Sequence, residues 1–494
     1  MIDTAALREK VLDLAIRGKL VPQNPTDEPA SVLLERIHEQ KLQMVREGKL
    51  KAKDVKDDTI IFKGDDNCYY EKFSVGTIKN IQDEIPFDLP YGWSWCRISS
   101  IGTTNIGLTY KPTDIADEGT IVLRSSNIKN GKIDLTDLVR VKTIIRENQF
   151  VEQNDIVICA RNGSKALVGK CAIFNLAMSE SVSFGAFMAI LRTAFYDYVY
   201  YFLNTQLFRN ILNSDDSKQI NQLTQDMLKN TLIPFPPQNE QRKIVTALNE
   251  IMHQISSIDN NANAVEHTKE VLKSRILELA IQGKLVPQDE NDEPANVLLE
   301  RIRAERKAKL GKKYVESYIF KGDDNCYYEN NVNNPVEIPF ILPKNWVFSR
   351  LADIAWLEDG IKIDGEQLPY LDAKTIRGKQ TASMLSCGKA IEKGMQVILV
   401  DGENSGEVFE VPYRGYIGST FKVLQVSYGI EKSYVKLILD FYKNLFKDNK
   451  TGSAIPHLNK KIFKSLIVAI PPVSEQKSIV EKVNLVTAIL KGGD

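Results

Sequence analysis

The side chains with the most pointed chemistry sit in a few short polar runs. LRSSNIK (Leu123 to Lys129) sets Arg124, Ser125, Ser126, Asn127 and Lys129 where a strand enters a turn. ARNGSKALVGK (Ala160 to Lys170) places Arg161, Asn162, Ser164 and Lys165 on a glycine-bearing loop between strands. SKQINQLT (Ser217 to Thr224) offers Lys218, Gln219 and Asn221 just ahead of a helix, whose N-terminus suits a phosphate. Farther along, DAKTIRGK supplies Lys374, Thr375, Arg377 and Lys379, VDGENSGEVFE supplies Asn404 and Ser405, and TGSAIPHLNKK supplies Ser453, His457, Asn459 and Lys460. Arginine pairs with guanine edges and asparagine with adenine, while serine and lysine hold phosphates. The chemistry these runs suggest is recognition of a nucleic acid by hydrogen bonding. Each run also has a plainer reading: a surface turn capping its own backbone, a simple hairpin, or, for the lone His457, a capping or surface residue.

Bond-making chemistry is not indicated. The sequence contains no P-loop, no dinucleotide-binding glycine run and no zinc motif. It also lacks the asparagine- or aspartate-proline-proline-aromatic tetrad of amino methyltransferases, because its double prolines precede Gln238 and Val473. The six cysteines form no C-x-x-C pair, and none of the four histidines lies near one at ligand spacing. Reduced thiols and no metal site are therefore expected. With 64 basic and 64 acidic residues the formal charge is zero, which excludes a globally basic nucleic-acid binder but allows local basic surfaces. No run approaches the ~20 apolar residues of a membrane span, and MIDTAALREK lacks a signal peptide's apolar core. A cytoplasmic location without membrane association is expected.

The elements that must position these loops are duplicated. PPQNEQRKIV (Pro236 to Val245) returns as PPVSEQKSIV (Pro471 to Val480). LREKVLDLAIRGKLVPQ…DEPASVLLERI (Leu7 to Ile37) returns as LKSRILELAIQGKLVPQ…DEPANVLLERI (Leu272 to Ile302), and FKGDDNCYYE occurs at Phe62 and again at Phe320. Such repeats are sought before any motif. Matched by repeat, Met1 corresponds to Glu266 and Asp494 to Asp259, so the two tails joined end to end rebuild most of the middle. The sequence behaves as a ring of two copies, cut once.

Thr4 to Arg17 reads as a helix with Leu7, Val11 and Leu14 on one face and Gly18 closing it. DEP opens a second helix, with Pro29 in its first turn and acids at the positive end of its dipole. GDDN in the repeated decapeptide suggests a turn, with no role beyond packing its aromatics at a domain entrance. Between the repeats, residues 85–235 and 338–470 are rich in short β runs and each carries a helical stretch. The remaining segments, 1–84, 236–337 and 471–494, are helical regions and linkers. Asn239 and Ser474 are placed as N-caps after the proline pairs. Ile244, Leu248, Ile251, Ile255 and Ile258 keep a coiled-coil spacing, matched by Ile479, Val483, Val486 and Leu490. Antiparallel packing of the middle helix on its repeat, supplied by the termini, predicts an α+β chain with two pseudo-two-fold-related globes separated by helical regions.

The paired PP-x-x-EQ-x-x-IV and AI-x-GKLVPQ repeats, with GLTYKPTDI…GTIVLRSSNIKNGKIDL (Gly107 to Leu135), resemble the specificity subunit of type I restriction-modification enzymes over nearly the whole chain. The resemblance implies that each globe is a target recognition domain for double-stranded DNA and that the helical repeats space them. It further implies two methyltransferase subunits docked on the helices, and restriction/translocase subunits in the larger assembly. This chain would then be non-catalytic and hold no cofactor, with S-adenosylmethionine and ATP/Mg on the partners. Glu240, Arg242 and Lys243, with Glu475 and Lys477 in the second copy, are candidate docking points or plain solvated surface. The loops of the two globes differ, with no obvious counterpart of Arg161 and Lys165 in the second, so an asymmetric target is expected. The alternatives are a coiled-coil scaffold with two protein-binding globes, and a fused component with its own methylation or cleavage activity. The missing catalytic motifs argue against the latter.

Overall fold

The computed structural model describes residues 2–56, 58–213, 222–314, 317–451 and 456–492. The chain divides into two compact units, Met1–Ala262 and Asn263–Asp494. Met1, Asp494 and the candidates Lys218, Gln219, Asn221 and Ser453 lie outside the described residues.

The first unit begins with helix α1 (Thr4–Ile16), whose Asp3 cap accepts the Ala6 N–H. The helix stops as expected: Gly18 takes φ +64° and the Lys19 N–H returns to the Leu14 carbonyl. Helix α2 (Ala30–Arg46) differs in detail from the sequence expectation. Pro29 is its extended N-cap and no acid lies in its first turn. The Ala30 N–H donates to the Gly92 carbonyl, and Glu28 reaches forward to Arg36 in a bidentate pair. A three-stranded sheet follows (Thr59–Lys63, Tyr69–Phe73, Ile78–Asn80). Its first turn is the GDDN of the repeat: Asn67 takes φ +63° and the Asp66 carboxylate accepts the Cys68 N–H and the Tyr70 hydroxyl.

The globular part of this unit is closed by its own ends, because Ser94–Arg97 pairs antiparallel with Leu232–Phe235. Inside lie a four-stranded antiparallel sheet, in the order Cys171–Ile173, Ile156–Cys159, Met188–Arg192, Thr103–Ile106, and a three-stranded one. In the latter, Ile115–Leu123 pairs in parallel with Val182–Phe184 and antiparallel with Val139–Val141. Central strands such as Ile156–Cys159 are buried on both faces, as their unbroken apolar run requires.

Pro236 and Pro237 end the last strand and helix α3 (Gln238–Ile281) starts at once. Asn239 is therefore inside the first turn and not a cap; its amide donates to Asp27. Residues 238–262 of α3 belong to the first unit, where Thr4 and Arg8 of α1 both bond Asp259, and Arg8 also bonds Ser256. The stripe is covered, but by more than a twin helix. Ile244 and Leu248 share a core with Val11 and Leu12 of α1 and with Tyr198, Phe202 and Phe235 of the globe, while Ile251 packs at its edge. A helix seam alone would leave Ile244 and Leu248 half covered, and the globe completes their burial.

The second unit repeats the plan. Its globe is closed by Val347–Arg350 against Ile467–Ile470, and its four-stranded sheet runs Ala355–Glu358, Phe421–Val426, Gln396–Leu399, Val408–Glu410. Ile361–Leu371, Met384–Ile391 and Gly415–Ile417 close on one another. Residues 263–281 of α3, helix α4 (Ala295–Leu310) and helix α5 (Val473–Lys491) frame it. One core joins Ala280, Ile281, Leu298, Ile302, Trp346, Tyr434, Ile479 and Val483. The cap of α5 is Pro472, so Ser474, like Asn239, is a first-turn residue.

Candidate nucleic-acid interface

The duplicated motifs turn out to be fasteners between helix and globe. Glu240 of the first EQ pair is 2% exposed and accepts the Trp93 indole N–H at 3.0 Å; Glu475 is 4% exposed and accepts the Trp346 N–H at 2.9 Å. Burial pushes both carboxyls above the usual glutamate range, with the indole bond opposing it. The following glutamines hold the proline carbonyls, Gln241 to Pro236 and Gln476 to Pro471. Glu240 and Glu475 are therefore corrected from docking points to internal fasteners: a carboxylate engaged under an indole is not offered to a partner. Arg242, Lys243 and Lys477 face outward as expected.

The GKL glycines belong to the same fastening. A Cβ at Gly18 would stand 2.5 Å from the Pro90 ring and 3.1 Å from Trp93, and at Gly283 2.5 Å from Pro343 and 3.0 Å from Trp346. The repeated decapeptide also gains a role. Glu71, at its end, receives Arg97 bidentately, and Glu329 receives Arg350 in the same way. Burial raises Glu71, but the bonds from Arg97 and Thr59 outweigh it and its pKa is lowered. Sequence reading missed both arginines, which sit in unremarkable strands. Their recurrence after the repeated tryptophans, W-S-W-C-R and W-V-F-S-R, was the available signal.

On this frame the first globe presents two adjoining loops. The Asn162 amide donates to the Ser125 hydroxyl at 3.3 Å, bringing the LRSSNIK and ARNGSK runs together. Arg124 is half-buried and pairs with Asp137 at 2.8 Å. Asn127 is corrected: it is 1% exposed, its oxygen accepts the Arg124 N–H, and its amide donates to the carbonyls of Asp134 and Asp137. It shapes the turn and has no free edge for a base. Lys129 pairs with Asp134 at 2.9 Å, and Asp134 is brought to about 2 by the Thr136 hydroxyl and then by Lys129. Arg161 lies over the exposed Phe187 ring, 5.4 Å from its centre. Ser126 is exposed; Ser164 and Lys165 are exposed at the loop tip.

In the second globe two candidates are corrected. Thr375 is 6% exposed and Ser405 1% exposed, each inside a turn where a hydroxyl cannot reach a duplex. Lys374, Lys379 and Asn404 are exposed. Arg377 lies over Phe409 and pairs with Glu407. Asn459 caps the helix Lys460–Ser465, accepting the N–H groups of Lys461 and Ile462, so its oxygen is engaged. His457 and Lys460 remain exposed, lining an open cleft of 690 Å³ with Asp401, Lys422 and Lys461.

Strand register supplies the correspondence that sequence matching missed. Cys159 pairs with Met188 and Leu399 with Phe421 in the two four-stranded sheets. The next residues bond alike, Ala160 N–H to Phe187 and Val400 N–H to Thr420, then Leu223 N–H to Ala160 and Leu458 N–H to Val400. Arg161 thus corresponds to Asp401, bridged in one globe to Gln222 and in the other to His457. By the same logic Gly169 matches Gly406, so Ser405 stands where the buried Val168 stands and is no relative of Ser164. Opposite charge hid the Arg161 position from sequence comparison.

Among the described residues no helix is long and apolar enough to cross a membrane, and no group of side chains is placed to hold a metal ion. The type I restriction modification DNA specificity domain matches residues 90–267 and 343–492. The chain is 26% identical to the type I restriction enzyme EcoAI specificity subunit of Escherichia coli, over 97% of this chain and 88% of that one. It is 28% identical to the EcoEI specificity subunit of Escherichia coli over 70% of this chain and 61% of that one. A chain of a type I R-M system, solved to explain complex assembly and conformational transition, shares the fold with a TM-score of 0.53 at 14% identity, covering 82% and 93%. With two matched segments that together span most of its length, this chain belongs to the type I restriction-modification DNA specificity family.

Proposed function

We propose that the chain reads a bipartite, asymmetric DNA target, with recognition domains at 85–235 and 338–470 each taking one half. The observation that carries this is one strand plan built twice, on duplicated fasteners, with different polar side chains at the strand ends. Equal scaffolds make the loops comparable in placement; unlike loops make the half-sites unlike. The chain itself performs no chemistry. Two methyltransferase subunits dock on the helical regions, where Arg242, Lys243 and Lys477 are the outward candidates, and restriction/translocase subunits complete the assembly. S-adenosylmethionine and ATP/Mg belong to those partners.

The test is retention of random-sequence duplexes by the full chain, with and without a methyltransferase partner. Enrichment of two unlike half-sites at a constant gap is expected, with affinity falling as salt rises because phosphate contacts release counterions. A perfectly palindromic selected site would contradict the asymmetry. Absence of any sequence preference in both conditions would leave the protein-binding scaffold reading standing.

A further inference from the structure

The register that pairs Arg161 with Asp401 continues around the strand ends. Leu123 pairs in parallel with Phe184, and Leu371 with Ile417, so the next residues, Arg124 and Asp372, correspond. The Cys159 N–H bonds the Lys170 carbonyl and the Leu399 N–H bonds that of Glu407, so Lys170 and Glu407 correspond as well. Three cations of the first globe are replaced by three carboxylates on the same backbone positions of the second. Two of these acids serve their own globe. Asp372 caps a short helix through the Thr375 N–H, and Glu407 pairs with Arg377.

Asp401 is different. Its Oδ1 lies 2.6 Å from His457 Nδ1, and the pair lines the open cleft together with Lys422, Lys460 and Lys461. A carboxylate in a cleft lined by lysines repels a phosphate backbone, so it gains nothing from non-specific contact with DNA. It does accept hydrogen bonds. Because the carboxylate can only accept, the imidazole donates Nδ1–H to Oδ1, and this holds the carboxylate in place with Oδ2 left as an acceptor. A carboxylate acceptor matches the exposed amino hydrogen of cytosine or adenine. The first globe presents the opposite polarity at this place. Arg161 offers only donors, matched to the O6 and N7 acceptors of guanine, over an exposed Phe187 ring with Gln222 beside it.

We propose that Arg161 with Gln222, and Asp401 with His457, are the same base-reading position in the two recognition domains. Arg161 and Gln222 select a guanine edge, and Asp401 and His457 select an amino-bearing base, cytosine or adenine. This deepens the DNA reading above and rests on it. Arg124 and Ser125 adjoin the first position through the Asn162 bond, and Lys460 and Lys461 hold the phosphates around the second.

The test uses the full chain assembled with its methyltransferase subunits, selecting from random duplexes and sequencing what is retained. Asp401→Arg with His457→Gln transplants the first domain's pair, and Arg161→Asp with Gln222→His transplants the second's. Each double variant is expected to change the preferred base at one position of one half-site, by roughly 5- to 150-fold in relative affinity, as ~1–3 kcal/mol of base discrimination implies. The other half-site stays as in the unmodified chain. Asp401→Asn, nearly isosteric, guards against misfolding and relaxes the same position. Uniform weakening on all sequences, or unchanged half-sites with binding retained, overturns the assignment alone. An unmodified assembly without sequence preference overturns the DNA reading itself.

Discussion

The two globes share a strand order, a closing pair of strands and three fasteners, yet they differ in charge where strands end. Arg124, Arg161 and Lys170 of the first are replaced in the second by Asp372, Asp401 and Glu407. The difference separates two kinds of residue. Positions that join helix to globe cannot change without leaving a buried polar group unpaired, so both copies keep them. Positions on the rim carry no such obligation, although Asp372 and Glu407 also brace their own globe. They are free to invert charge, since water solvates either sign there.

The fasteners are not equally deep, and that sharpens the comparison. Arg97 and Glu71 have side chains 11% and 3% exposed, against 23% and 16% for Arg350 and Glu329. Arg97→Ala leaves a buried carboxylate with no charge partner, held only by the Thr59 hydroxyl, and is expected to destabilise the first unit by about 3–5 kcal/mol. Arg350→Ala costs less, because water reaches Glu329. Hydrogen exchange resolved by peptide, with urea, measures each unit separately; equal losses would show that the two joints are energetically alike.

Next come the glycines. Gly18→Ala and Gly283→Ala each combine a left-handed backbone, about 1–2 kcal/mol, with a methyl pressed into a proline ring, about 1–3 kcal/mol. The matching φ values of +64° and +68° predict matching losses. A difference of more than ~1 kcal/mol between them would break the equivalence of the two joints.

Smallest is the buried glutamate pair. Glu240→Ala or Glu475→Ala strands a tryptophan N–H and should cost about 1–3 kcal/mol, whereas glutamine keeps the acceptor. Both carboxyls have folded pKa values raised by burial, so the folded state keeps its proton after the unfolded chain has released it. Stability from these groups is greatest at acid pH and declines as pH rises from the ordinary glutamate range through the raised folded value. Urea titrations at pH 5 and pH 8 should therefore show Glu240→Gln gaining on the unmodified protein at pH 8. A gain at pH 5 instead would reverse the sign and refute buried charge as the cause.

Much of the architecture was legible because repeats and periodicity are properties of the chain. The α1 stop at Gly18, the decapeptide turn and the apolar stripe of α3 all follow from local chemistry. The candidate site was less legible. Asn127, Thr375 and Ser405 look like readers in a sequence, because polar side chains in loops have the same types whether they face a ligand or close a turn. Glu240 and Glu475 look like surface for a related reason: glutamate is seldom buried, and only the indole standing over each one explains the exception. Asp401 went unnoticed because matching by residue type aligns similar residues, and here the equivalence is between opposites.

The sequence by itself determined that there are two copies of one plan, where each begins, and where the main helices and strand-rich stretches lie, though not the short strands within 59–80 and 319–329, which fall in segments expected to be helix and linker. Those follow from the order of apolar and turn-forming residues along the chain. Only the tertiary structure decided which polar groups face inward and which backbone positions correspond. Burial and register depend on partners far away in sequence, Trp93 on Glu240, Arg97 on Glu71 and Leu223 on Ala160, and no local pattern encodes such a meeting.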